Sequence, residues 1–148
     1  MKTVKTPIER WWPMVAVTFI LVEVLAQHPW RTDQIHWHKN LAHALQIAQA
    51  HNTPLLIDFS SDACAPCRQM DQDVFADISI ENKIQSHFVP VRLDGFRDQA
   101  NLAKFHVFAI PTVIVLSPNG KEIDRSEGYV APHSFSLMLK SNLSPGNA

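Results

Sequence analysis

The chain has 148 residues, 46% of them hydrophobic, and a formal net charge of -1. That is enough apolar material for one domain with its own core, and it excludes both a disordered chain and a polytopic membrane protein. No basic field and no nucleic-acid motif is present, so nucleic acid is not expected as a partner. The two cysteines are too few for a disulfide framework.

The N-terminus reads as a targeting segment. Lys2, Lys5 and Arg10 give a positive start, and an apolar run follows from Trp11 to Ala26, broken by Glu23. Val24-Leu25-Ala26 presents small residues where a signal peptidase cuts. From Pro13 to Ala26 a helix would rise only ~21 Å, short of the ~30 Å hydrocarbon core. With Trp11 and Trp12 as interfacial anchors, a retained membrane anchor is the second possibility. Residues 1–26 are therefore expected to be a signal peptide or an anchor, with membrane attachment through residues 11–26 in the latter case. Either places the domain outside the cytoplasm, in the periplasm of a Gram-negative source. Residues 27–34, with Pro29, read as a linker.

Ile35-His36-Trp37 is a short strand candidate. Leu41, Ala44, Leu45 and Ala48 recur at helical spacing, which predicts an amphipathic helix over Lys39 to His51. Asn52-Thr53-Pro54 breaks it. Leu55-Leu56-Ile57-Asp58-Phe59 is a short apolar run bounded by turn signals, as a buried central strand would be. Directly after it comes Ser60-Ser61-Asp62-Ala63-Cys64-Ala65-Pro66-Cys67-Arg68, which holds both cysteines. The second cysteine lies one helical turn after the first, so the pair can close a disulfide across that turn. The positive end of the helix favours thiolate at the first sulfur. That sulfur can attack a partner disulfide, and the second can release the mixed disulfide. A structural bridge this short would restrain the unfolded chain little. A structural zinc site usually needs four ligands, and a second cysteine pair is absent. Redox chemistry is the stronger reading.

The helix opened by this turn is expected to run to about Phe75, with Pro66 in its first turn. Arg68, Asp71 and Asp73 read as its solvated face. Asp77 to Ser86 predicts another helix with Ile80 and Ile84 inward. Phe88 to Leu93 predicts a strand, which Pro90 moves to a sheet edge or a local irregularity. Gln99 to His106 predicts a short helix burying Leu102 and Phe105. Thr112 to Leu116 is β-branched and apolar, again a strand. Ser117-Pro118-Asn119-Gly120 is a turn, Lys121 to Arg125 its hairpin partner, and Gly128 the end of that strand. Pro132 starts the last helix, with Phe135, Met138 and Leu139 as its apolar stripe. Residues 144–148 are a tail.

Three segments give this chain a family likeness. Ile57-Asp58-Phe59 leads through Asp62-Ala63 into Cys64-Ala65-Pro66-Cys67. Ile110-Pro111-Thr112 follows at a distance, and then Asn119-Gly120-Lys121 with Gly128. Together they resemble the strand, active site, cis-proline turn and last hairpin of the thioredoxin-like family. The likeness covers about residues 35–143. Ile35-His36-Trp37 and Met70 to Phe75 are most similar to the branch that includes the C-terminal domain of the thiol:disulfide interchange protein DsbD and its single-domain relatives.

The resemblance implies an α/β thioredoxin fold, a central mixed β-sheet flanked by helices. It implies an exported thiol–disulfide oxidoreductase, a reductant or exchange donor that acts on protein thiols and disulfides through a Cys64–Cys67 redox disulfide. A DsbD-type membrane electron donor would feed it, and no cofactor or metal is needed. By resemblance, Cys64 is the exposed nucleophile and Cys67 the buried resolving thiol. Asp58 moves the second cysteine's proton, burial raising its pKa. Pro111 is cis and packs against the cysteines. The backbone of Ile110, with Ala65 and Pro66, contacts an extended substrate segment.

Departures from the pattern matter. Ala63 stands where many relatives carry Trp, so the rim is smaller. The lysine that thioredoxins place on the strand after the second helix falls on Pro90. Arg92 reads first as a solvated edge charge, with electrostatic substitution for that lysine as the other reading. Ala65-Pro66 resembles the Gly-Pro of reducing thioredoxins more than the Pro-His of the oxidant DsbA. From another class, a metallochaperone would hold copper or zinc through Cys64, Cys67 and a histidine such as His36, His38 or His43.

Overall fold

The computed structural model describes residues 35–143. The expected targeting segment, linker and C-terminal tail lie outside the described residues. The elements in chain order are helix α1 (Leu41–His51), strand β1 (Leu55–Ser60), helix α2 (Ala65–Met70) continued by a π-helical turn (Asp71–Phe75), helix α3 (Ile78–His87), strand β2 (Val89–Asp94), helix α4 (Gln99–Lys104), strands β3 (Thr112–Leu116) and β4 (Glu122–Glu127), and helix α5 (Pro132–Ser141). The strands form one sheet in the order β2-β1-β3-β4. β1 pairs parallel with β2 and antiparallel with β3, and β3 pairs antiparallel with β4. This is the mixed sheet expected from the sequence.

Side-chain alternation along β1 divides the core. Leu55, Ile57 and Phe59 face one side with Leu41, Ala44 and Ala48 of α1. Leu56 faces the other, with Met70, Val74 and Phe75 and with Ile80, Ile84, Phe135 and Leu139 of the later helices. Asp58 alternates onto this second side. All six residues of β1 are buried, because both sheet faces are covered.

Helix boundaries follow their caps. α1 starts two residues later than periodicity suggested, because the Asn40 side chain accepts the His43 N–H at 3.0 Å. Asp77 caps α3 in the same way, accepting from Ser79 and Ile80. Ile80 and Ile84 point inward as predicted.

The remaining differences have local causes. Ile35-His36-Trp37 is not a strand; a single bridge joins His38 to Val91. The His38 N–H donates to the Pro90 carbonyl, and the Arg92 N–H donates to the His38 carbonyl. The next rung would need an N–H from residue 90, and proline has none. The Trp37 N–H turns back instead to the Ile35 carbonyl, 2.9 Å away. β2 lies at the sheet edge, the first of the two places that Pro90 allowed. Leu102 is only partly buried, unlike Phe105, because the short α4 packs by its C-terminal end. β4 extends to Glu127, and Gly128 follows with φ +79°, a conformation that favours glycine.

Candidate active site

β1 delivers the chain to Cys64, the N-cap of α2. Pro66 occupies the first turn, where its missing N–H would have had no helical partner. Cys64 and Cys67 are joined by a disulfide with Cα atoms 5.3 Å apart. The Cys67 N–H donates to Cys64 Sγ at 3.2 Å. Cys67 is 1% exposed and Cys64 only 8%. Cys64 is thus more covered than expected, because the loop before β3 closes over it. Its Sγ lies 3.8 Å from the Ile110 carbonyl oxygen. Ala65 and Pro66 are exposed beside it.

The Ile110–Pro111 peptide is cis, and Pro111 is buried. The hydroxyl of Thr112 donates to the Ala109 carbonyl at 2.7 Å and fixes the approach to β3. Gly95, at the end of β2, lies against the Ile110 side chain; a Cβ there would come 2.5 Å from Ile110 Cγ2. That atom sits on the stiff Cβ of a β-branched residue, so it has little room to yield. Gly95→Ala is therefore expected to push Ile110 away from Cys64. The predicted result is a loss of about 1–3 kcal/mol in urea denaturation and a slower disulfide exchange.

Asp58 is fully buried on β1. Arg92 Nε donates to its Oδ2 at 2.7 Å, and Arg92 Nη2 donates to Asp71 Oδ1 at 2.6 Å. Asp58 Oδ1 has no hydrogen-bond partner among the described residues. Burial pushes the Asp58 carboxyl up from its ordinary value of 3.8 to about 6, against the pull of Arg92, while Asp71 adds a smaller upward push. The Arg92 guanidinium also lies over the rings of Trp37, at 4.4 Å, and Phe75, at 5.3 Å.

Two sequence readings are corrected here. Arg92 is not a solvated edge charge: its side chain is 22% exposed and bridges two carboxylates. The register sets Asp58 opposite Arg92, and Leu56 opposite Pro90. The cation beside the buried acid therefore comes from position 92, and position 90 is not the equivalent. Asp71 does not belong to a free solvated face either, since it is held by Arg92. The π turn, closed by the Ala76 N–H on the Asp71 carbonyl at 3.0 Å, leaves Asp71 facing Arg92 while Val74 and Phe75 enter the core. Asp73 accepts from the Tyr129 hydroxyl, and Arg68 donates to the Asp62 carbonyl.

Ala63 is small, and beside it an open groove of about 640 Å³ runs past Ser61, Asp62, Arg92, Asp94 and Phe96. The groove brings solvent to the exposed side of Arg92, whose other side holds Asp58. His38 and His43 meet edge to face, 6.0 Å between centroids. Among the described residues no three of His, Cys, Asp and Glu stand together as metal ligands would, so the metal reading gains no geometric support. None of the helices in the described residues is long and apolar enough to cross a membrane.

A family model described as a thioredoxin-like domain matches residues 41–142. The thioredoxin-related protein DsbJ of Chlamydia pneumoniae is 32% identical over 106 residues, which cover 64% of this chain and 30% of that protein. The thiol:disulfide interchange protein DsbD of Ralstonia nicotianae is 27% identical over 109 residues, 71% of this chain and 18% of that protein. The chain thus spans less than a third of the length of these curated relatives. Among solved structures, a thioredoxin from Thermus thermophilus superposes with a TM-score of 0.69 at 25% identity, covering 78% of this chain and 92% of the other. The oxidised C-terminal domain of DsbD from Neisseria meningitidis gives 0.61 at 20% identity, covering 72% and 98%. At that identity the likeness is one of fold.

Proposed function

The chain belongs to the thioredoxin-like family, and from that premise we propose that it is an exported thiol–disulfide oxidoreductase that reduces or exchanges protein disulfides. The observation that carries this reading is the position of Cys64. Its sulfur caps a helix, accepts the Cys67 N–H and lies against the Ile110 carbonyl, beside a loop backbone on which an extended segment can dock. The N–H and the helix start both favour negative charge on that sulfur.

In the reducing direction, Cys64 thiolate attacks one sulfur of the partner disulfide. A bond forms between Cys64 and the partner, and the other partner sulfur leaves as a thiolate and takes a proton. Cys67 then gives up its proton and attacks Cys64 Sγ. The bond to the partner breaks, the second partner thiol departs, and Cys64–Cys67 closes. Two electrons have passed to the partner. Asp58, titrating near 6 on the strand that feeds the cysteines, is suited to take the Cys67 proton and return it. Arg92 holds that carboxylate in place. A membrane-bound dithiol donor of the DsbD type would supply the next two electrons. The expected location is extracytoplasmic, in keeping with the basic and apolar start of the sequence.

The test is a glutathione redox titration of the full chain. A reductant should have a potential nearer to thioredoxin's ≈ −270 mV than to the ≈ −120 mV of a strong oxidant. If neither thiol of the reduced chain attacks a disulfide faster than free cysteine does, the reading fails.

A further inference from the structure

Phe108 is 92% exposed, more than any other large apolar side chain among the described residues. A single exposed apolar residue is ordinary. What sets Phe108 apart is how firmly its loop is held and where that loop lies. Val107, just before it, is buried, and the Val107 N–H donates to the Leu102 carbonyl at 2.9 Å. Arg125 Nη2 donates to the Phe105 carbonyl at 2.7 Å. Thr112 fastens the Ala109 carbonyl on the other side. His106 turns the chain at φ +51°, a left-handed conformation that non-glycine residues seldom hold and that often marks functional loops. Every anchor keeps its own residue fixed, and the phenylalanine between them faces solvent.

This loop is also the wall of the cysteine site. Phe108 precedes Ile110 by two residues, so their Cα atoms are at most roughly 7 Å apart. Ile110 carries the carbonyl that lies against Cys64 Sγ. On its other flank, Gly95 touches the Ile110 side chain, and the next residue, Phe96, is 56% exposed. Two exposed aromatics thus belong to the two segments that meet at Ile110, the residue that lies against Cys64 Sγ. Among the described residues, the Ile110 N–H and carbonyl have no main-chain hydrogen-bond partner. An extended segment that pairs there would set its neighbouring side chains beside the two rings. The stretch Val107 to Pro111 carries no charge, so a charged side chain brought to it would lose hydration without a partner.

We propose that Phe108 and Phe96 are specificity-determining residues, clasping a large apolar side chain next to the reacting cysteine of an extended polypeptide segment. The inference rests on the exchange reading above and names the kind of segment that site selects. Such a contact replaces part of the apolar rim that Ala63 leaves small.

The test uses the reduced full chain and two synthetic peptides. Each holds one cysteine as a mixed disulfide with a chromogenic thiol, with Trp beside the cysteine in one and Ser in the other. The parent should release the chromophore from the Trp peptide roughly three- to tenfold faster, the range expected for aromatic contacts. Phe108→Ser should bring the ratio close to one, and Phe108→Trp should restore it. Equal rates in the parent, or a Phe108→Ser ratio as high as the parent's, overturn the inference. So does a dimer, or binding to phosphatidylcholine vesicles, that Phe108→Ser abolishes, since the ring would then serve another surface. A parent that reacts with neither peptide nor oxidised 2-mercaptoethanol overturns the exchange reading itself, which separates the two failures.

Discussion

Cys64→Ser is expected to abolish disulfide exchange, while Cys67→Ser should still attack and then stop. The two cysteines differ in what surrounds them. Cys64 caps α2 and receives the Cys67 N–H. Cys67 sits inside the first turn, 1% exposed, where a partner sulfur as large as its own cannot reach it in line. Removing Cys64 therefore removes the attacking atom, and the rate should fall by on the order of 10³-fold or more, to the background of the uncatalysed reaction. Removing Cys67 leaves the attack but supplies a hydroxyl that cannot displace a thiolate at neutral pH. The partner should then accumulate as a stable mixed disulfide on Cys64. Intact-mass spectrometry after mixing each reduced variant with a disulfide-bonded protein reads both outcomes. An adduct on Cys64→Ser and none on Cys67→Ser would reverse the roles proposed for the pair.

How far this site was legible in the sequence depended on whether the signal was local. The apolar runs of β1 and β3 are visible because a strand buried on both faces cannot carry polar residues freely. Cys64 and Cys67 are visible because their spacing fits one helical turn. Asp58 stands out because an acid inside such a run needs a reason. Its partner is harder to find. Arg92 lies 34 residues later, and only the parallel register brings it opposite Asp58. Alternation did hold a clue: Val89, Val91 and Leu93 share one face, so Pro90 and Arg92 share the face that Asp58 uses. A residue-by-residue alignment with lysine at position 90 missed this by two residues, a shift that keeps the face and changes the neighbour. The π turn left no trace at all. Asp71-Gln72-Asp73-Val74-Phe75 has neither Gly nor Pro, and an acidic helix face next to an apolar one looks solvated until the cation that meets it is located. Ile35-His36-Trp37 misled in the opposite way. Its β propensity is sound, but the rung it would need belongs to a proline on the neighbouring strand.

Asp58→Asn is expected to make the protein more stable at neutral pH, by about 1–3 kcal/mol, although it removes an ion-pair partner. The sign follows from where the proton sits. Folding raises the Asp58 carboxyl from 3.8 to about 6, so between those values the folded chain binds more protons than the unfolded one. Stability then falls as pH rises through that window and stays lower above it. A shift of about two pH units corresponds to ~3 kcal/mol. Asparagine keeps the shape and discards the buried charge, but it leaves Arg92 paired with Asp71 alone, which takes back part of the gain. Well below 3.8 the carboxyl is neutral in both the folded and the unfolded chain, and the two stabilities should converge. Arg92→Met acts in the other direction. It removes the charge that pulls Asp58 down, so the carboxyl should titrate above its present value. The pH dependence of the step in which Cys67 resolves a mixed disulfide on Cys64 should move up with it. Urea denaturation of the three proteins across the acid-to-neutral range tests the first effect, and the rate of mixed-disulfide resolution against pH tests the second. An Asp58→Asn variant less stable than its parent at neutral pH would mean that the Arg92 pairing outweighs the burial of the charge. A resolution profile indifferent to both substitutions would separate the carboxylate from the proton that Cys67 must lose.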